Sequence, residues 1–231
     1  MIQAILFDLD ETLYPRQSGI MEQIGELMHQ YLQNRLSLSP EEAYALRRYY
    51  FQEYGTTMRG LQVNYEIDAD EFLEFVHDIP LENYIQPNPE LDAVLASLPQ
   101  QKVVFTNASR EHAERVLRIL GVSHHFDRIV DVRDIDFESK PQPTAYRRIC
   151  DLIKVPPEEC LLVEDNARNL RPGKALGMTT ALVYDGCSEA DNDVDYILDR
   201  IESIGQVVQQ IEEKTRPDAN SRQRPSQSSP G

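Results

Sequence analysis

The chain has 231 residues, enough for one sizeable core or a core with a small second domain, and 41% of them are apolar, an ordinary share for a globular protein. Its 39 acidic residues outnumber 23 basic ones, for a net charge of −16, which argues against nucleic-acid polymers and anionic membrane surfaces as partners. No apolar run is long enough for a transmembrane helix, and the N-terminus lacks the basic-then-apolar pattern of a signal peptide. Cys150, Cys160 and Cys187 have no metal-ligand spacing and are expected to be reduced thiols of a cytoplasmic protein.

In chain order, the first apolar run, AILFDLD (4–10), reads as a buried strand that ends in Asp8 and Asp10. In an extended chain these two carboxylates point to the same side, so their repulsion needs something to offset it. A helical stretch follows. Ile20, Ile24, Leu27, Met28, Tyr31 and Leu32 form one apolar stripe, and Ser39-Pro40-Glu41-Glu42 is a capping box opening a helix through Tyr54. Asp68 to Glu71 has the same start logic and opens a third helix with Phe72, Leu73, Phe75 and Val76. Between them YGTTMRGL (54–61), bracketed by Gly55 and Gly60, reads as an interhelical loop. Its Arg59, with Thr56 and Thr57, is a candidate contact for a substrate's leaving group. The tyrosines of this region read mainly as filling for a small helical core.

QPNPE (86–90) reads as a return linker. From there strands and helices alternate: KVVFTNA (102–108), a helix ending at Gly121, the weaker strand FDRIVDV (126–132), a helix from Thr144, then CLLVED (160–165) and TTALVYD (179–185). Such alternation predicts an α/β fold with a parallel sheet covered on both faces and an all-helical insert after the first strand. The expected division is a core of 1–15 and 87–215, a helical unit of 16–86 and a disordered tail, 216–231, which has no large apolar residue. The five histidines share no metal-site spacing and read as surface or partly buried.

Ligands of parallel sheets bind at the strand C-termini. Those ends offer Asp8 and Asp10, then Thr106 and Asn107, then Lys140 in a loop, then Glu164 and Asp165. Four carboxylates crowd together only with cations, and hard oxygen ligands suit Mg²⁺ shared with a substrate phosphate. Lys140 would add a second positive charge. One aspartate could then attack phosphorus while another carboxylate moves the proton of the leaving oxygen. Thr106 and the backbone N–H groups near Asn107 and Ala108 could hold phosphoryl oxygens.

The stretches FDLDETLYP, FTNAS, FESKPQP and LLVEDN match in order the four motifs of the haloacid dehalogenase-like (HAD) hydrolase superfamily, over roughly residues 4–185. The helical insert resembles its C1 cap, and LDETLYP, TNA and EDNARN are most similar to its pyrimidine 5′-nucleotidase-like branch. The resemblance implies a Rossmann-like core, with Asp8 as nucleophile and metal ligand and Asp10 as general acid/base with its carbonyl on the metal. It implies Thr106 and Lys140 as phosphate-orienting residues, and Asp165 and Glu164 as metal acids, with Asp165 the more direct ligand. Asn169 stands where many relatives carry a further acid, and is expected to be structural. Dehalogenases of the superfamily lack the second aspartate, so the resemblance implies a Mg²⁺-dependent phosphatase acting on a small phosphomonoester such as a pyrimidine 5′-nucleotide. Alternatives are a sugar-phosphate or phosphoglycolate phosphatase, a phosphomutase or phosphotransferase of the same fold, and, remotely, a receiver-type signalling domain. Nothing in the sequence specifies an oligomeric state.

Overall fold

The computed structural model describes residues 1–184 and 194–215. The expected tail (216–231), Asp185 and Cys187 lie outside the described residues. Six parallel strands, β1 (Ala4–Phe7), β2 (Gln101–Phe105), β3 (Arg128–Val130), β4 (Cys160–Glu164), β5 (Thr179–Val183) and β6 (Tyr196–Leu198), form one sheet in the order β3-β2-β1-β4-β5-β6. Every residue of β1 and β4 is buried, as expected of central strands covered on both faces.

Side-chain alternation divides the core into two layers. Ile5, Phe7, Val104, Leu161 and Val163 face one side, with α5 (Pro89–Ser97), α6 (Arg110–Leu120) and α9 (Ile204–Thr215). Ala4, Leu6, Val103, Phe105 and Leu162 face the other, with α7 (Pro143–Ile153) and α8 (Ala167–Ala175). Phe7 stands opposite Val104 on one flank and Val163 on the other, so the three central strands end almost level. The chain leaves β1 toward β2 on one side, while β4 lies on the other. That reversal opens a crevice at the strand ends.

Four helices form the insert that follows β1 and precedes α5: α1 (Ile20–Leu36), α2 (Pro40–Tyr54), α3 (Thr57–Tyr65) and α4 (Ala69–Val76). The capping box that opens α2 is complete: the Ser39 hydroxyl accepts from Glu42 N–H, and the Glu42 carboxylate accepts from Ser39 N–H. Asp68 caps α4 by accepting from Asp70 N–H and Glu71 N–H. This insert shares one continuous apolar cluster with the Ile5 and Phe7 face of the sheet.

Three expectations are corrected. Residues 54–61 are not a loop: the Thr56 hydroxyl accepts from Arg59 N–H and starts α3, which carries Arg59 in its first turn. Gly55 does adopt a positive φ of 86°, but Gly60 lies inside α3, where a Cβ would fall 2.2 Å from the Tyr50 ring. QPNPE is not a plain linker, because Asn88 caps α5 with Pro89 at its first position. The tyrosines split: Tyr31 and Tyr50 are core, whereas Tyr44, Tyr49 and Tyr65 are exposed.

Candidate active site

The strand ends come together as the sequence implies, with one local difference. β1 stops at Phe7, and Leu9 to Leu13 closes a single helical turn anchored by those two buried leucines. Side chains four apart therefore pair. Thr12 donates its hydroxyl to Asp8 Oδ2 (3.0 Å), and Tyr14 donates to Asp10 Oδ1 (2.6 Å). The two aspartates do not stack on one extended face; each is drawn to its own partners.

Lys140 is fully buried at the centre. Its Nζ donates to Asp8 Oδ1 at 2.6 Å and Glu164 Oε1 at 2.7 Å. Burial alone would discharge the lysine, but the two carboxylates outweigh it and hold the ammonium charged. Its backbone is fixed by Asn107, whose Oδ1 accepts from Lys140 N–H and whose Nδ2 donates to Lys140 carbonyl. The Asn107 side chain is thus a clamp on the lysine loop. Gly55 lies against the same loop, since a Cβ there would fall 2.9 Å from the Lys140 carbonyl oxygen. Thr106 accepts from Ala108 N–H through its hydroxyl oxygen, which leaves the hydroxyl proton to donate to a ligand oxygen.

Glu164 is wholly enclosed. Beyond Lys140 it accepts from Asn169 Nδ2 and from Asn166 N–H. Asn169, expected to be structural, holds this carboxylate in place. Asp165 is more open and receives Arg16 Nη2 at 3.3 Å. One carboxylate oxygen each from Asp8, Glu164 and Asp165 lie within 4.8 Å of one another. Burial and then Glu164 push Asp8 up to about 7, and burial and then Asp8 push Asp165 up to about 7. An all-oxygen set that charge-starved fits a hard divalent cation. Because the Glu164 side chain is wholly enclosed while those of Asp8 and Asp165 keep 11% and 15% exposure, Asp8 and Asp165 are better placed to meet a cation directly.

Asp10 differs. His112 Nε2 lies 2.8 Å from its Oδ1, beside the Tyr14 hydroxyl. Burial would raise Asp10, but His112 and Tyr14 outweigh it and hold the carboxyl below its usual range. His112 is a functional candidate that the sequence expectation missed. Together with His77 it is buried rather than at the surface, and the two rings stack 4.3 Å apart. The signal was present in the HAER stretch, where His112 falls on the apolar stripe of α6 with Val116. The remaining histidines also pair locally: His124 and His125 gather with Asp92 within 4.8 Å, a grouping adjacent histidines alone did not suggest.

A cavity of about 400 Å³ opens from Asp10, Asn107 and Ala108 into the helical insert. Thr56 and Thr57 line it, but Arg59 does not; its guanidinium pairs with Glu138 at 3.3 Å.

The fold is shared with solved structures. The phosphate complex of CbbY from Rhodobacter sphaeroides superposes with a TM-score of 0.63 over 89% of this chain and 97% of that one, at 21% identity. A HAD phosphatase from Thermococcus onnurineus gives 0.62 over 90% and 98%, at 19% identity. The sequence profile of the haloacid dehalogenase-like hydrolases matches residues 2–177, and the chain belongs to that family. Among relatives, Phosphate metabolism protein 8 of Saccharomyces cerevisiae is 27% identical over 82% of this chain, which spans 64% of the yeast protein's length. Phosphoglycolate phosphatase of Aquifex aeolicus is 29% identical over 86% of this chain and 93% of its own. Among the described residues no helix is long and apolar enough to cross a membrane, and Cys150 and Cys160 are free and buried.

Proposed function

We propose that the chain is a Mg²⁺-dependent phosphomonoester hydrolase of the cytoplasm, with a nucleoside monophosphate such as a pyrimidine 5′-nucleotide as substrate. Residues 16–86 act as a cap over a core of 1–15 and 87–215. One observation carries the reaction class: Asp10 is held by two donors, Tyr14 and His112, beside the Asp8 and Lys140 pair. Loss of halide from carbon requires no proton, whereas loss of an alkoxide from phosphorus does. A second, independently positioned carboxyl therefore fits ester hydrolysis. The names of the phosphoglycolate phosphatase of Aquifex aeolicus and of the glyceraldehyde 3-phosphate phosphatase of Methanopyrus kandleri, 28% identical, support small phosphomonoesters as the broader substrate class.

In this mechanism an Asp8 carboxylate oxygen attacks phosphorus, the P–O ester bond breaks, and Asp10 gives its proton to the leaving oxygen. Asp10 then takes a proton from water as that water attacks the aspartyl-phosphate, which releases inorganic phosphate and restores Asp8. Asp10 must gain a proton before it can give one, and the approach of a phosphate dianion drives it that way by like-charge repulsion. Lys140 and the Thr106 hydroxyl hold phosphoryl oxygens, and Asn107 fixes the lysine backbone. Asp8, Asp165 and the Asp10 carbonyl would hold Mg²⁺, with Glu164 supporting the set. When bound, the metal neutralises the carboxylates and the substrate phosphate.

The test is a panel of nucleoside monophosphates, sugar phosphates and phosphoglycolate, assayed with Mg²⁺ and with EDTA. Metal-dependent release of inorganic phosphate from pyrimidine nucleotides above the others is the expected result; release from none of the panel would overturn the proposal.

His112 is assigned as a positioning residue for Asp10. His112→Ala should lower kcat about 10- to 100-fold while KM changes by less than about threefold, because the loss falls on the chemical step. His112→Gln, whose amide N–H can reach Asp10, should recover part of the loss. A change confined to KM would remove His112 from the acid/base apparatus.

A further inference from the structure

Two arginines of α2 line the cavity above Asp10, and among the described residues neither pairs with a carboxylate; Arg48 is exposed to water, whereas Arg47 is drawn out of it. Arg47 is only partly exposed. The guanidinium has a single hydrogen-bond neighbour, His29 Nε2 at 3.4 Å, and among the described residues no ion pair with a carboxylate. Burial pulls its pKa below the ordinary arginine value, and Glu26 acts on it only from a distance while contacting His29 instead. A guanidinium that gives up water for one long contact with an imidazole, and no carboxylate or carbonyl acceptor, is costly unless a ligand supplies one.

The surroundings were built to admit it. Gly25 of α1 is buried directly beneath, and a Cβ there would fall 2.9 Å from Arg47 Nη1. Glycine inside a helix is less stable than alanine, so its place under the guanidinium is a fitted one. Beside the polar groups near Asp10, much of the wall is soft and apolar: Met21, Met28, Met58, Phe51 and Phe72. Thioethers and aromatic rings of this kind pack on the faces of flat ring systems. Arg59, the arginine that the sequence offered for this task, is already paired with Glu138 outside the cavity lining.

We infer that Arg47 reads the leaving group, and that the site takes phosphomonoesters whose leaving group is a flat, largely apolar ring carrying a carbonyl or carboxylate oxygen at the end remote from phosphorus. This deepens the proposed function and rests on the cavity being the leaving-group side of that site. A pyrimidine nucleoside meets the description through its base carbonyls. Phosphoglycolate does not, because its short acid reaches no ring-lined wall and leaves most of the 400 Å³ unfilled.

The probes are a matched pair, phenyl phosphate and 4-carboxyphenyl phosphate, which differ only in the terminal oxygens. Wild type should prefer the carboxylated ester, and Arg47→Met, which keeps the apolar stem, should reduce that kcat/KM preference about 10- to 100-fold, the scale of one charge-assisted hydrogen bond. Gly25→Ala provides a second variant with a better helix former: its new methyl group displaces the guanidinium without removing the charge, and the preference should fall in the same direction. Calorimetric binding of both esters to Asp8→Asn protein, with and without Arg47→Met, reads the same discrimination without turnover. If hydrolysis fails but binding still discriminates through Arg47, the hydrolase proposal falls and this inference stands. If both esters lose equally, if neither changes, or if Arg59→Ala and not Arg47→Met removes the preference, Arg47 does not read the leaving group.

Discussion

Asp8→Asn should eliminate turnover, by on the order of 10⁴-fold or more, while the protein melts at or above the wild-type temperature. The rate loss follows because an amide oxygen is a poor nucleophile toward phosphorus and the covalent route has no substitute. Nothing else within reach of Lys140 is free to take over: Glu164 is enclosed and already accepts from three donors. The fold should survive because the change is nearly isosteric. Lys140 keeps its bond to Glu164, and a carboxylate that burial and Glu164 penalise has been removed. Single-turnover assays should find no phosphorylated protein. Residual activity within about tenfold of wild type, with the fold intact, would move the nucleophile elsewhere.

How far the sequence revealed this arrangement depends on the scale of the signal. The strand ends were legible because short apolar runs that close on polar or acidic residues are a local pattern, and the order of those motifs along the chain identified the family. Lys140, Asp8 and Glu164 were legible as members of one site but not as a hydrogen-bonded triad, since that contact spans 132 and 24 positions of sequence. α3 was misread because two glycines resemble punctuation. What decides the segment is the Thr56 cap and the Tyr50 ring seated over Gly60, a contact between helices. His112 and Arg47 were missed for the same reason. Each sits on a helix, and its meaning comes from what lies opposite: Asp10 in one case, a cavity that offers no carboxylate partner in the other. β6 and α9 had no strong local signature; β6 closes the sheet edge by pairing with β5, and α9 covers one face by packing on α5, far earlier in the chain.

Removing Mg²⁺ should abolish turnover and also destabilise the protein in a pH-dependent way, and the direction follows from the site's carboxylates. Asp8 and Asp165 stand at about 7 in the folded, metal-free chain, against an ordinary value of 3.8. Between roughly pH 4 and pH 7 the folded state therefore holds protons that the unfolded chain has released. Where the native state binds more protons, stability falls as pH rises. The metal-free protein should lose stability through that window and carry the full deficit above pH 7. A divalent cation favours the ionised pair and displaces those protons, so its binding strengthens over the same range. The rise in Tm produced by 10 mM Mg²⁺ should accordingly be larger at pH 8 than at pH 5.5, by about 2–4 °C for each additional kcal/mol of binding. Asp165→Asn removes one of the two proposed carboxylate ligands and should flatten the difference between the two pH values while greatly lowering activity. A Tm gain that is equal at both pH values, or larger at pH 5.5, would show that Asp8 and Asp165 do not share a cation.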